Sequence, residues 1–294
     1  MIQTRELLAK VRKIEIRTRR LVEELTGGAW HSVYKGRGIE FSEVREYTPE
    51  DDVRDIDWNV TARMGAPYIK KYAEERELSV ILAVDASASL SFGKAGSTKR
   101  EEAAGIAALL ALSAIRNNDK VGLLVFTDKT ELWLPPKSGK SHVLRLIREL
   151  LAFESESKGT DIGNAMDSLA KNLKRRSVIF LISDFISSLP YEKQLKILNM
   201  RHDLAAIRIS EKMEVDFPEL TMLNLEDAET GEVSWFDAAS VKVRSLFGKR
   251  VKEKRNAVAE LFRRAKVDVV ELFCGDDPVV PIMNFFRMRK RKNG

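Results

Sequence analysis

LSVILAVDASAS, residues 78–89, decides the reading of this 294-residue chain. Seven mostly apolar residues run into Asp85, Ser87 and Ser89, with an alanine at each position between them. A short Val- and Ile-rich run bounded by small polar residues is the pattern of a fully buried strand in a parallel sheet. Open α/β sheets bind ligands outside the carboxyl ends of their strands, and that is where these three oxygen-bearing side chains fall. Two more oxygen donors suit the same edge. Thr160 lies in KGTDIGNAM (158–166), a loop entering a helix, and Asp184 closes a second buried run, SVIFLISD (177–184). Asp85, Ser87, Ser89, Thr160 and Asp184 are expected to build a divalent-cation site.

Composition bounds the alternatives. The chain is 44% hydrophobic and 32% charged, with a formal net charge of +6, which suits a globular protein with a sizeable core. Much of the positive excess sits in Lys10 to Arg20 and in the closing RMRKRK; such runs are most often solvated faces. Cys274 is the only cysteine, so disulfides within the chain and thiolate metal clusters are excluded. No signal-peptide pattern opens the chain and no apolar run approaches the roughly 20 residues that span a bilayer. The expectation is a cytoplasmic protein.

Outward from the central run, strands and helices alternate. Residues 5–26 carry a helical apolar seam (Leu7, Val11, Ile14, Leu21, Leu25) stopped by Thr26-Gly27-Gly28. Ile39, Phe41, Val44 and Tyr47 suggest an irregular strand. Thr48-Pro49-Glu50-Asp51 reads as a helix start, with Thr48 as cap and Asp51 at the capping-box position. Asp51, Asp52, Asp55 and Asp57 are interleaved with Arg45, Arg54 and Arg63, which favours ion pairing in structural packing, then a partner surface, over a metal-dependent nuclease centre. Residues 67–77 lead as a charged strand into the central one. Beyond it the pattern predicts helices over 99–116, 140–152, 161–173, Pro190 to Met200 and 240–265. It predicts strands over 120–126, 130–134, 177–183, 202–209 and 266–273, and a hairpin from 220 to 236. The expected fold is α/β, a doubly wound, mostly parallel sheet with an N-terminal helical and irregular extension. The divisions are 1–77 for the extension, 78–275 for the sheet domain with a hairpin excursion at about 215–238, and 276–294 for a basic tail. In that tail PVVPIMNFF should dock on the domain and leave the basic end free; membrane contact is expected only through this end.

Hard cations such as Mg²⁺ take oxygen ligands in octahedral geometry and keep several waters. Ser87, Ser89 and Thr160 offer neutral hydroxyls; Asp85 and Asp184 offer charge. If the loop stays extended after the strand, side chains two apart face one spot. Two carboxylates at most cancel a dication, so an Asp that binds only through water leaves the ion electrophilic toward an incoming carboxylate. The plainer alternative is that the serines cap the following turn and the aspartates pair with lysines.

DASAS, Thr160 in GTDIGNAM and Asp184 in ISDF resemble the metal-ion-dependent adhesion site of von Willebrand factor A domains, over roughly residues 78 to 275. The upstream KGRGIEF...REYTPEDDVRDIDWNVTAR resembles the domain-of-unknown-function 58 family, whose members are typically encoded beside MoxR-type AAA+ ATPases. The resemblance implies a von Willebrand factor A-like sheet and a non-catalytic, metal-dependent interaction module. That module would work with the ATPase in maturing an unidentified client protein, with Mg²⁺ (or Mn²⁺ or Ca²⁺) as cofactor. It also implies that Ser87 and Ser89 bind the ion directly, Thr160 directly or through water, and Asp85 and Asp184 largely through water. Two positions depart from the family pattern, Glu50 where glycine is common and Leu90 where methionine is; neither removes a ligand.

Two other functions compete. A phosphatase using Asp85 as nucleophile lacks the second carboxylate two residues on, where Ser87 stands, and a nuclease or triad hydrolase lacks support from the isolated His31, His142 and His202. Gly36-Arg37-Gly38 falls far short of a phosphate-binding loop. Nucleic-acid binding through the basic ends would be steeply salt-dependent and indifferent to Ser87. No small-molecule substrate is evident, and nucleic acid is not the expected partner.

Overall fold

The computed structural model describes residues 40–293 except 50, 74–76, 92, 95–96, 188–189, 216–221, 227–232 and 238. The helix expected over 5–26, the basic run Lys10 to Arg20 and His31 lie outside the described residues. Contacts divide the described chain into two compact units, one ending at Leu78 and one starting at Ser79.

In the first unit β1 (Glu40–Glu46) pairs antiparallel with β2 (Tyr68–Ala73), with a register shift between Phe41 and Glu43. The two strands form a sheet of their own. The helix start expected at Thr48 is instead a turn. Asp51 does reach back to the Thr48 amide at 2.8 Å and hydroxyl at 2.7 Å, as a capping box would. Arg45, however, grips both oxygens of the same carboxylate at 2.8 and 2.7 Å, closing the loop on β1. The Arg45 guanidinium, followed by the Thr48 donors, holds the Asp51 carboxyl well below the usual range. Asp52 is extended and caps a 3₁₀ turn, Val53–Asp55. The helix α1 (Trp58–Met64) starts only at Asp57, whose side chain accepts from the Asn59 and Val60 amides. Asp51, Asp52 and Asp57 thus serve the backbone and Arg45, as ion pairing and capping require.

In the second unit β3 (Ser79–Asp85) is followed by a minimal pair, β4 (Gly93–Lys94) and β5 (Ser97–Thr98), and then by α2 (Lys99–Arg116). Next come β6 (Lys120–Phe126), β7 (Thr130–Lys137), α3 (Lys140–Ala152), α4 (Ile162–Asn172), β8 (Val178–Ser183), α5 (Glu192–Arg201) and β9 (Asp203–Ser210). The one-turn α6 (Lys212–Val215) leads to the hairpin β10 (Leu223–Glu226) and β11 (Val233–Phe236). The chain ends in α7 (Val241–Ala265), β12 (Asp268–Phe273) and α8 (Val279–Asn293).

Six strands form the central sheet in the order β12-β9-β8-β3-β6-β7. All neighbours are parallel except the edge strand β7. The expected fold class, a doubly wound, mostly parallel sheet, is the one observed. Counted along the sheet this is the 3-2-1-4-5-6 order, whose direction of winding reverses between β3 and β8. Those strands read as uninterrupted apolar runs because helices cover both faces. Ile81, Ala83, Ile179, Leu181, Leu204 and Ala206 point to one face and pack with α4, α5 and the end of α7. On the other face α2 lies close enough that Ala103, Ala104, Ala107, Ala108 and Ala111 are all buried. Its start is fixed by a full capping box between Thr98 and Glu101.

Gly122 of β6 faces a break in the register of β7, where a Cβ would sit 3.0 Å from the Pro136 nitrogen and 3.1 Å from the Leu134 carbonyl. The C-terminal segment docks as expected by its apolar part: Val279, Ile282, Phe285 and Phe286 are buried, and Phe286 meets Phe180 of β8 edge-on. Of its basic end Arg287, Lys290 and Arg291 are exposed, as expected, but Arg289 is buried. Arg289 bonds Asp203, Asp268 (2.8 Å) and the Leu204 carbonyl (3.1 Å), because the helix continues long enough to carry that guanidinium over the starts of β9 and β12.

Candidate metal centre

The winding reverses between β3 and β8, and it is at such a reversal, at the rim outside the carboxyl ends of the strands, that open α/β sheets bind ligands. Asp85 ends β3 there and is 1% exposed. Its Oδ1 accepts from the Ser87 amide at 2.8 Å and its Oδ2 from the Ser183 hydroxyl at 2.7 Å. The loop does not stay extended: the Asp85–Ser87 bond makes an Asx turn, and Ala88–Ser91 form a 3₁₀ turn. Ser87 and Ser89 nevertheless converge, their hydroxyls 3.1 Å apart. Two turns thus achieve what alternation along a strand was expected to give.

Thr160 comes to this rim through its loop. The Lys158 carbonyl accepts from the Ala88 amide at 3.0 Å, the Asp161 amide donates to the Thr127 carbonyl at 3.0 Å, and Asp161 caps α4. Thr160 is 8% exposed, and its carbonyl accepts from Ser187 at 3.4 Å. From β8, Asp184 is aimed by a sharp exit. The Phe185 amide donates to Ser183 Oγ at 2.9 Å and the Ile186 amide to Asp184 Oδ1 at 3.1 Å. Phe185 itself sits in the left-handed region at φ 57°, a conformation that costs a bulky residue on the order of 1–3 kcal/mol. Its ring stays 2% exposed, edge-on to Phe262 of α7.

Burial, and then the neighbouring charge of Asp184, push the Asp85 carboxyl up to about 7, against the hydrogen bonds from Ser183 and Ser87. Asp184 has a partner of its own. Lys99, the first residue of α2 and 1% exposed, places Nζ 2.7 Å from Asp184 Oδ2 and 2.6 Å from Glu214 Oε1. Desolvation opposes the ammonium charge, but Asp184 and Glu214 outweigh it and hold the Lys99 pKa above its usual value. Half of the plainer alternative is therefore present, since one of the two aspartates pairs with a lysine. Lys99, Ser183 and Glu214 are the contributors that sequence reading passed over: STKREE looks like a solvated helix start, and no local pattern marks its lysine for burial.

The donor set suits a hard cation. The 3.1 Å between Ser87 Oγ and Ser89 Oγ is close to the edge, about 3 Å, of an octahedron with metal–oxygen bonds of about 2.0–2.1 Å. Both carboxylates accept hydrogen bonds from the protein, Asp85 from Ser87 and Ser183 and Asp184 from Lys99 and Ile186. Among the described residues, no group of three or more His, Cys, Asp and Glu side chains is arranged to hold a metal. His142 bonds the Val121 carbonyl and His202 the Ser177 amide, both at the opposite, amino-terminal edge of the sheet.

Fold and rim together define a doubly wound α/β protein with hydroxyls and carboxylates gathered at the carboxyl rim of its winding reversal. The chain belongs to the family described as protein of unknown function DUF58, which matches residues 43–257. The uncharacterized protein Rv1480 of Mycobacterium tuberculosis is 29% identical over 288 residues, covering 97% of this chain and 90% of that one. Among solved structures, the conserved hypothetical protein BatB from Bacteroides thetaiotaomicron is similar with a TM-score of 0.49 and 15% identity, over 73% of this chain and 99% of that one. Proximal thread matrix protein 1 from the mussel byssus, solved with a zinc-occupied MIDAS motif, gives a TM-score of 0.39 and 15% identity over 47% and 39%.

Proposed function

We propose that the rim is a divalent-cation site and that the chain is a non-catalytic interaction module docking an acidic side chain of another protein. The observation that carries this reading is the pair of hydroxyls, Ser87 and Ser89, 3.1 Å apart at the winding reversal with Asp85 buried behind them. A bound Mg²⁺ would supply a Lewis-acidic position that a partner's carboxylate can fill. Ser87 and Ser89 hold the ion side of that contact without adding charge, and Thr160 closes the rim from the α4 loop. Asp85 and Asp184 supply the only negative charge among the five. A nucleophilic role for Asp85 is disfavoured because both its oxygens accept hydrogen bonds and its side chain is sealed from the surface. The sequence resemblance supports a MoxR-type AAA+ ATPase as the machine served and a third protein as client. No helix among the described residues is long and apolar enough to cross a membrane.

Isothermal titration with Mg²⁺ and Mn²⁺, paired with pull-downs in Mg²⁺ and in EDTA, tests the proposal. Wild type should take up one ion and retain its partner only in the metal, and Ser87→Ala should lose both while keeping its circular dichroism. Equal capture by wild type and Ser87→Ala in metal and chelator alike would overturn it.

A further inference from the structure

We infer that Lys99 is a tethered cation that sets the ion affinity of the rim, competing for Asp184 and drawn away from it by Glu214. The inference rests on the reading of the rim as a cation site. Its basis is a three-group chain: Asp184 Oδ2, Lys99 Nζ and Glu214 Oε1, with separations of 2.7 and 2.6 Å. The side chains of Lys99 and Asp184 are each 1% exposed, and that of Glu214 is 27% exposed. Lys99 is the first residue of α2, where the helix dipole favours an anion. Its burial is therefore explained by the two carboxylates and not by the helix it begins.

Asp184 carries one negative charge, and Lys99 already neutralises it. A dication that draws on Asp184 from the side of Ser87 and Ser89 competes with that ammonium for the same buried, poorly screened carboxylate. Glu214 supplies the second seat. It belongs to α6, a different segment from either rim loop, and its other oxygen accepts from the Glu211 amide at 2.9 Å, so it is itself held in place. Occupancy of the rim should shift Lys99 toward Glu214 and tighten α6, the turn that opens the excursion carrying β10 and β11. Lys99 is then a positioning residue whose charge tunes the site.

The two ends of this chain make opposite predictions. Lys99→Met keeps the stem volume and removes the competing charge, so Mg²⁺ and Mn²⁺ should bind at least about tenfold tighter by titration calorimetry. Glu214→Gln removes the seat that draws Lys99 away, so the same ions should bind about fivefold weaker. A merely structural role for Lys99 and Glu214 would weaken both variants together. Amide exchange of residues 211–215 provides a readout independent of affinity: it should slow when Mg²⁺ is added to wild type and stay unchanged in Glu214→Gln. If Lys99→Met does not fold, Glu214→Gln and the exchange measurement still decide. Unaltered affinity in Glu214→Gln, exchange indifferent to Mg²⁺, or shifts of both variants in one direction would overturn the role of Lys99. Absence of any ion uptake by wild type would instead strike the cation site itself.

Discussion

Asp85→Asn should stabilise the metal-free protein at neutral and higher pH, although it removes a residue of the proposed site. Burial and Asp184 raise the Asp85 carboxyl from 3.8 to about 7, so between about pH 4 and 7 the folded protein keeps a proton that the unfolded chain has released. With more protons bound in the native state, stability falls as pH rises through that window and levels off above it. Three pKa units at 1.36 kcal/mol each amount to about 4 kcal/mol at full effect. Asparagine keeps the shape and the Oδ1 acceptor for Ser87 and does not titrate, while its amide nitrogen, which cannot accept from Ser183 as Oδ2 does, takes back part of the gain. Urea denaturation in EDTA, followed by circular dichroism, should therefore show the variant more stable than wild type by about 2–4 kcal/mol near pH 8 and nearly equal near pH 4. Adding Mg²⁺ to about 100 times its dissociation constant should return about 2.7 kcal/mol to wild type and little to Asp85→Asn. The reasoning fails if the difference between the two proteins in EDTA is the same at both pH values.

The remaining predictions concern the scaffold. Phe286→Ala should cost about 3–5 kcal/mol, because its ring is fully buried against Phe180. Met288→Ala on the same helix, 58% exposed, should stay within about 0.5 kcal/mol; equal effects in thermal melts would show that α8 is not docked. Gly122→Ala should destabilise by about 1–3 kcal/mol through overpacking, since backbone atoms of β7 stand where the methyl would go; an unchanged melting temperature would refute that approach. Thr98→Ala should cost about 1 kcal/mol of α2 capping, read as a shift of the urea midpoint without a change in slope.

Much of the sheet was legible because parallel strands buried on both faces leave unbroken apolar runs, and β3, β6 and β8 do so without exception. The places of Asp85 and Asp184 were legible because side chains at strand ends inherit their place from the strands, whereas Ser87 and Ser89 reach theirs through two turns that alternation along a strand did not foretell. What failed were features with no local signature or with partners elsewhere in the chain. The helix start at Thr48 had every local mark of a cap, but Arg45 was the stronger claimant for Asp51. The burial of Lys99 depends on carboxylates 85 and 115 residues away. The left-handed turn at Phe185 has no glycine or asparagine to announce it. Arg289 read as one charge of a solvated run because its partners, Asp203 and Asp268, meet only once the sheet has formed.

Those last contacts share an address with His142 and His202: all sit where the strands begin, whereas the DASAS turn, the Thr160 loop and Asp184 sit where they end. On the proposed function, anchoring and recognition are housed on opposite shores of one sheet. A rim proposed to grip a partner could then drift in sequence while the anchors at the other edge keep the domain folded, with no need to rebuild the scaffold.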